Sequence, residues 1–215
     1  MVVMHSTTDW ESWHTDYDDP SSLLSERLRL VQRYIADWLD VSAPRPVTVL
    51  SLCAGDGRDL LEVLEDRTDA GRVTATLIEA DVRNAARATE HVVRLNLSSI
   101  EVRCTDAGTS NAYHRAVPAD LVLLCGIFGN IADDDVQRTI AATPQLCNEN
   151  AVVIWTRHRR DPDLTPHIRE WFRGHGLEEE HFDAPDHAAY SVGVHRFVGE
   201  PKPLDADQRL LTFIK

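Results

Sequence analysis

The chain has 215 residues, of which 22 are Lys or Arg and 35 are Asp or Glu, so its formal net charge is −13 at pH 7. Hydrophobic residues make up 43% of the chain and charged residues 27%, which is typical of a soluble globular protein with one sizeable core. The acidic balance disfavours nucleic acid as a partner, because nucleic-acid-binding proteins carry a basic face. It also disfavours an anionic membrane surface.

The sequence predicts neither a membrane span nor a metal site. No apolar stretch approaches the length of a membrane helix, and Met1–Trp13 lacks the layout of a secretory signal. The histidines and the four cysteines lack the spacing of metal ligands. We therefore expect free thiols in a reducing compartment, and a cytoplasmic protein.

The N-terminal part of the chain predicts an arm followed by one helix. Residues 1–18 are polar with scattered aromatics and have no core of their own. Asp19 and Pro20 are typical of an N-cap and a first helical position. The next apolar residues are spaced four, three, four and three apart, which places them on one helix face: Leu24, Leu28, Val31, Ile35 and Trp38. Residues 1–45 are expected to belong to the same domain as residues 46–215.

From residue 47 onward, short apolar runs alternate with helical patterns. The runs cover 47–53, 73–78, 100–104, 120–125 and 151–156, and the helical patterns cover 59–65, 84–95, 112–116, 134–145 and 165–175. This alternation predicts βαβ units and a Rossmann-like, doubly wound α/β fold with a mostly parallel sheet. Three further extended segments, 177–183, 191–198 and 210–214, predict an antiparallel end of the sheet without deciding which two of them pair.

The turn after the first strand contains a candidate ligand-binding loop. Gly55 and Gly57 permit a tight turn and a close approach of a ligand to the backbone. The second strand runs into Glu79, and an acid at that distance from the glycines commonly binds a ribose diol. Asp81 is an alternative for that role. The glycine turn and the acid together predict an adenosine-containing ligand.

Two common nucleotide ligands are disfavoured by the residues around the turn. A dinucleotide fingerprint has Gly or Ala three residues after the second glycine, where this chain has the bulky Leu60. NAD and FAD are therefore disfavoured. No Gly-Lys-Ser/Thr sequence follows the glycines, so the loop of a nucleoside-triphosphate site is also absent from the sequence.

Residues 47–157 resemble the class I S-adenosylmethionine-dependent methyltransferases through several motifs in the family's order. The first motif is similar to Val49–Gly57, and the motifs of strands two, three and four are similar to Glu79, Asp106-Ala107 and 120–126. The resemblance implies a seven-stranded sheet with an antiparallel C-terminal hairpin, S-adenosylmethionine as cofactor, and an adenine contact from Asp106. It implies a cofactor site made of Ser51, Cys53, Ala54, Gly55, Gly57, Glu79, Ala80, Asp106, Ala107, Cys125 and Gly126.

This chain departs from the family's pattern at two positions. The family usually has an acid where Ser51 stands, and it usually has its first loop glycine where Cys53 stands. Serine can accept hydrogen bonds but carries no charge. The resemblance therefore does not identify the group that holds the methionine amine.

The acceptor side of the predicted site has weaker signals. His158, at the end of the fifth strand, is a candidate base because an unperturbed imidazole titrates near neutral pH. Arg157 is a candidate for binding an anionic acceptor. Phe128 is expected either to contact the sulfonium or the acceptor with its ring face, or to anchor its loop to the core. Tyr17 and His14 would orient the acceptor if the arm folds over the sheet as a lid.

Together these features predict methyl transfer to oxygen or nitrogen of a small molecule. The chain shows no nucleic-acid module and little sequence beyond the sheet for recognising a protein. The alternative is a non-catalytic scaffold or partner subunit of the same fold, motivated by the departures at Ser51 and Cys53. The oligomeric state is not predicted.

Overall fold

The computed structural model describes residues 19–214, which form one sheet with helices on both faces. The helices are α1 (Leu23–Ser42), α2 (Arg58–Glu65), α3 (Val82–Arg94), α4 (Asp133–Ala142) and α5 (Thr165–Gly174). The strands are β1 (Val47–Leu52), β2 (Val73–Glu79), β3 (Ile100–Cys104), β4 (Ala119–Leu124), β5 (Cys147–His158), β6 (Leu177–Asp183) and β7 (Tyr190–Phe197). A short 3-10 turn, Ser110–Tyr113, replaces the weak helix expected at 112–116.

The seven strands lie in the order β3-β2-β1-β4-β5-β7-β6. Strand β1 pairs in parallel with β2 and β4, whereas β7 runs antiparallel to both β5 and β6. The predicted Rossmann-like, doubly wound sheet of seven strands with an antiparallel C-terminal strand is confirmed. Strand order reverses between β1 and β4, and in open α/β sheets a ligand-binding crevice lies at the carboxyl ends of the strands at that point.

The central strands are apolar because both of their faces are covered. All six residues of β4 are buried, and all residues of β1 except Thr48 are buried. One core cluster surrounds Trp155 and Phe172, and a second cluster surrounds Ile35 and Leu61 on the side of α1 and α2. Among residues 19–214, no helix is long and apolar enough to cross a bilayer.

Helix α1 begins later than the sequence predicts. Its N-cap is Ser22, whose hydroxyl accepts the N–H of Ser25 at 3.0 Å. The Asp19 carboxylate accepts the N–H of Ser21 at 2.9 Å, so it caps a turn that precedes the helix. The expectation of Asp19 as N-cap is therefore wrong, because serine offers the helix the same kind of cap three residues later.

The face that α1 buries is close to the predicted one. Val31 and Ile35 are buried as expected, and the stripe continues through Leu39 rather than Trp38. Trp38, like Leu28, is only partly buried. The spacing correctly predicts an amphipathic helix, and its inner face is rotated slightly from the expected position.

The antiparallel hairpin of the sheet is formed by β6 and β7. Residues 210–214, which were expected to be extended, join no strand of the sheet. Leu210 and Leu211 are buried in the core, and Phe213 forms an isolated bridge with Ile131. The apolar pattern of this segment therefore reflects packing across the carboxyl end of the sheet.

Strands β5 and β7 make an unusually close contact at Gly193. A Cβ atom at Gly193 would overlap the indole ring of Trp155, which is fully buried and cannot move aside.

We expect Gly193→Ala to lower the free energy of unfolding by about 1–3 kcal/mol, measured by urea denaturation. Gly71→Ala is the control, because a Cβ there meets nothing within 4 Å. Equal effects of the two substitutions would contradict the packing argument.

Candidate functional site

A cavity of about 550 Å³ lies at the carboxyl ends of strands β1 to β4. Its volume is in the range of small-molecule and cofactor sites. Nine of the eleven residues predicted to bind a cofactor line this cavity: Cys53, Ala54, Gly55, Glu79, Ala80, Asp106, Ala107, Cys125 and Gly126. The structure therefore brings together motifs that are separated by more than 70 residues in the sequence.

The other two predicted residues, Ser51 and Gly57, do not line the cavity. Ser51 is buried within β1 with 1% of its surface exposed. Gly57 is the N-cap of α2 with a φ of +76°, and a Cβ there would crowd the side chains of Leu61 and Leu77. Gly57 shapes the turn and permits close packing, and a cofactor contact from either residue stays a prediction.

The turn between β1 and α2 keeps a glycine-like backbone at a position that holds cysteine. Cys53 has a φ of +52° and Gly55 a φ of +59°, both in the left-handed region. A residue with a side chain is strained at such a φ, so the conformation of Cys53 costs conformational energy that the surrounding fold must offset. Its side chain lines the cavity, and burial raises the pKa of its thiol.

Glu79 connects the two turns that border the centre of the cavity. One carboxylate oxygen accepts the N–H of Gly55 at 2.8 Å, and the other accepts the N–H of Asp81 at 2.7 Å. Glu79 is only 9% exposed, so these bonds are shielded from water. Each oxygen retains a lone pair that can accept a further hydrogen bond from a ligand hydroxyl. Asp81, the alternative acid, instead caps helix α3.

Asp106 follows β3 and lines the same cavity. Its Oδ1 accepts the N–H of Gly108 at 2.7 Å, and its Oδ2 lies 2.5 Å from a guanidinium nitrogen of Arg209. Arg209 belongs to the C-terminal segment, which also contributes Thr212 and Phe213 to the lining. The apolar pattern of residues 210–214 is typical of a strand, so it does not by itself indicate that the segment lines the cavity.

Asp59, in the first turn of α2, is a lining residue that the sequence analysis missed. It is 9% exposed, and its Oδ1 accepts the N–H of Leu60 at 2.9 Å. Burial raises the pKa of this carboxyl to about 7, and the neighbouring charges of Asp56 and Glu62 act in the same direction. An acid in the first turn of a helix is common, so its sequence position alone carried no functional signal.

Comparisons with solved structures support the fold. An O-methyltransferase family protein from Burkholderia thailandensis is 15% identical with a TM-score of 0.65, and the match covers 88% of this chain and 60% of that one. Magnesium protoporphyrin IX methyltransferase from Synechocystis PCC 6803, solved with bound S-adenosylmethionine, is 10% identical with a TM-score of 0.66, over 88% and 91% of the two chains. This chain has the fold of the class I S-adenosylmethionine-dependent methyltransferases.

The matching structures are named for different substrates. A protein assigned as an rRNA methylase from Clostridium thermocellum matches at a TM-score of 0.58 and 11% identity, over 78% of this chain and 95% of that one. No family model matches the sequence, and no curated protein matches it. The TM-scores support the class I methyltransferase fold, and the low identities leave the substrate open.

Two residues predicted on the acceptor side belong to the core of this methyltransferase fold. Phe128 is fully buried, with its ring 6.1 Å from that of Trp155 and 6.3 Å from that of Phe172, so it anchors its loop. Arg157 donates to the carbonyl of Phe128 and lies 3.5 Å from Asp133. Neither residue lines the cavity. Phe128 takes the second of its two expected roles, and the binding of an anionic acceptor by Arg157 stays a prediction.

The remaining acceptor-side predictions are only partly described. His158 ends β5, where its ring is partly buried beside Gly129 and its Nδ1 lies 3.3 Å from the N–H of Arg160. It does not line the cavity, and its role as a base stays a prediction. Tyr17 and His14 lie outside the described residues. In the described part of the chain, no three metal-ligating side chains form a cluster.

The buried carboxyl of Asp59 predicts a pH-dependent stability. Because its folded-state pKa lies above its unfolded value, the folded state binds the proton more tightly, and stability falls as pH rises from about 4 to about 7. Asp59→Asn removes this loss. We expect the free energy of unfolding of the variant, relative to the natural chain, to grow by about 2 kcal/mol between pH 5 and pH 7. Urea denaturation at both pH values measures it, and an unchanged difference would contradict it.

Proposed function

We propose that this chain is an S-adenosylmethionine-dependent methyltransferase that acts on oxygen or nitrogen of a small molecule. The observation that carries the proposal is the convergence of the glycine turn, Glu79 and Asp106 on one cavity within the class I methyltransferase fold. The solved Synechocystis methyltransferase with bound S-adenosylmethionine has the same fold and supports the choice of cofactor.

The residues around the cavity fit this cofactor. Glu79 has lone pairs available for the ribose hydroxyls, and Asp106 borders the end where the adenine would lie. Gly55 and Ala54 keep the wall of the turn small, so a ligand can approach the backbone. When bound, S-adenosylmethionine supplies a methyl group activated by a sulfonium.

Two cysteines near the proposed methyl donor are kept unreactive. Burial raises the pKa of the thiols of Cys53 and Cys125, so both remain protonated at neutral pH. The thiolate is the nucleophilic form of cysteine, so the raised pKa disfavours a reaction of either thiol. Because the cysteines are free thiols, we also propose that the protein works in a reducing, cytoplasmic environment.

A small acceptor suits the walls of the cavity. Helix α1 contributes Arg27, Leu28 and Val31, and the C-terminal segment contributes Thr212 and Phe213, so the cavity is bordered on two sides beyond the sheet. The net charge of −13 opposes a polynucleotide acceptor. The transfer itself depends on holding the acceptor in line behind the methyl group and excluding water. His158 is the candidate base for an acceptor that must lose a proton.

The alternative, a non-catalytic scaffold or partner subunit, is motivated by Ser51 and Cys53, which depart from the family's pattern. The two functions differ in turnover, because a scaffold would release no S-adenosylhomocysteine from S-adenosylmethionine. Incubation with a panel of small phenols, carboxylic acids and amines, followed by measurement of S-adenosylhomocysteine, distinguishes them.

Binding of the cofactor is the first test. We expect calorimetry to give a micromolar Kd for S-adenosylmethionine and S-adenosylhomocysteine. Glu79→Gln should weaken both about tenfold or more, because the amide keeps the shape but loses the charged acceptor and turns an NH₂ group toward one backbone N–H. Glu90→Gln, an exposed acid on α3, is the matched control and should bind as the natural chain does. Failure of the natural chain to bind either ligand would refute the proposal.

A further inference from the structure

The acids of the cavity differ in how fully their charges are already satisfied. Five acids line it: Asp56, Asp59, Glu79, Asp81 and Asp106. Two are ion-paired with arginine, since Asp56 accepts from the Nε of Arg58 at 2.9 Å and Asp106 lies 2.5 Å from Arg209. These two carboxylates have a cation at hydrogen-bond distance before any ligand arrives.

Two more acids are engaged with the backbone. Glu79 accepts one N–H on each oxygen, and Asp81 caps α3 and lies 3.3 Å from Arg83.

Asp59 differs from the other four. Its hydrogen bonds come from its own helix turn, because Oδ1 accepts the N–H of Leu60 at 2.9 Å and the backbone of Asp59 itself is a second partner. Like Glu79, it has no cation partner within residues 19–214, but unlike Glu79 it is not held by N–H groups of two separate turns. A buried carboxylate without a cation is costly, which points to a cationic ligand group.

The position of Asp59 matches one end of the proposed cofactor. Glu79 ends β2 and Asp106 follows β3, on one side of β1, where the ribose and the adenine would lie. Cys125, which follows β4 on the other side of β1, is close enough to Asp59 for the carboxylate to raise the pKa of its thiol. An amino-acid end that extends from the ribose toward β4 would therefore lie on the side of Asp59.

We propose that Asp59 binds the methionine ammonium of S-adenosylmethionine, the role that no acid on β1 can take in this chain. The carboxylate retains lone pairs for N–H donors of the ammonium, because its two oxygens offer more acceptor positions than its backbone partners occupy. Ser51 cannot substitute, because it is uncharged, buried in β1 and outside the cavity lining. This inference rests on the proposed function and identifies a cofactor-binding residue beyond it.

The surroundings of Asp59 make the interaction pH-dependent. The charged or titratable groups around it are Asp56 and Glu62 near its own helix, Arg58 at the start of that helix, Cys125 from β4 and Arg27 from α1. Burial raises the pKa of the free carboxyl to about 7, so the ammonium binds to a group that is only partly ionised near neutrality. Ammonium binding favours the ionised form and lowers that pKa.

The test compares two ligands that differ in the amino-acid part. S-adenosylhomocysteine carries the ammonium, whereas 5′-methylthioadenosine has the same nucleoside and sulfur without it. We expect Asp59→Asn to weaken S-adenosylhomocysteine about tenfold to a hundredfold by calorimetry, and to change the Kd of methylthioadenosine less than about threefold. Glu90→Gln, an exposed acid on α3, controls for loss of charge and should leave both Kd values unchanged.

Three results would be decisive against the inference. If Asp59→Asn weakens the binding of both ligands equally, Asp59 shapes the turn and does not bind the ammonium. If the Kd for S-adenosylhomocysteine is unchanged, the contact between Asp59 and the ammonium is excluded. If the variant does not fold, the natural chain decides: its preference for S-adenosylhomocysteine over methylthioadenosine should rise about tenfold from pH 6 to pH 8, and a constant preference would overturn the inference. Absence of binding of both ligands to the natural chain would instead refute the proposed function.

Discussion

The candidate site depends on the two hydrogen bonds that the buried carboxylate of Glu79 accepts from the backbone. One bond holds the turn after β1 through Gly55, and the other holds the turn after β2 through Asp81. Parallel strands bring these turns to the same edge of the sheet, but adjacency alone does not fix their loops relative to each other. A shielded carboxylate that accepts one charge-assisted bond from each turn fixes the two loops relative to each other. The positions of the cavity walls on both sides depend on these bonds.

The C-terminal segment closes the cavity through interactions that are not part of the sheet. The N–H of Ser110 donates to the carbonyl of Gln208 at 2.9 Å, and the N–H of Leu210 donates to the carbonyl of Gly108 at 2.8 Å. These bonds hold the segment beside the turn after β3, and the ion pair of Arg209 with Asp106 completes the contact. A Cβ at Gly108 would overlap the backbone of this segment, so glycine is required for the approach.

The sequence predicted those features whose physical signal is local. Buried strands are recognisable because both faces are apolar, and Gly55 and Glu79 are recognisable because their positions follow strand ends. The structural role of residues 210–214 could not be predicted from the sequence. Leu210 and Leu211 give the same apolar pattern whether the segment is a strand of the sheet or packs across its edge. Phe128 was ambiguous for a similar reason: an aromatic in a loop can face either the ligand or the core.

Asp59 shows how a binding residue can escape a reading of the sequence. An acid in the first turn of a helix interacts favourably with the helix dipole, so the position is explained without any ligand. Its significance appears only in three dimensions, where the side chain is 9% exposed and faces a cavity whose other acids already have partners. The fold holds this carboxylate at a cost in stability, because burial favours its neutral form. A cationic ligand group offsets that cost by making the ionised form favourable, so a charge that destabilises the free protein strengthens binding.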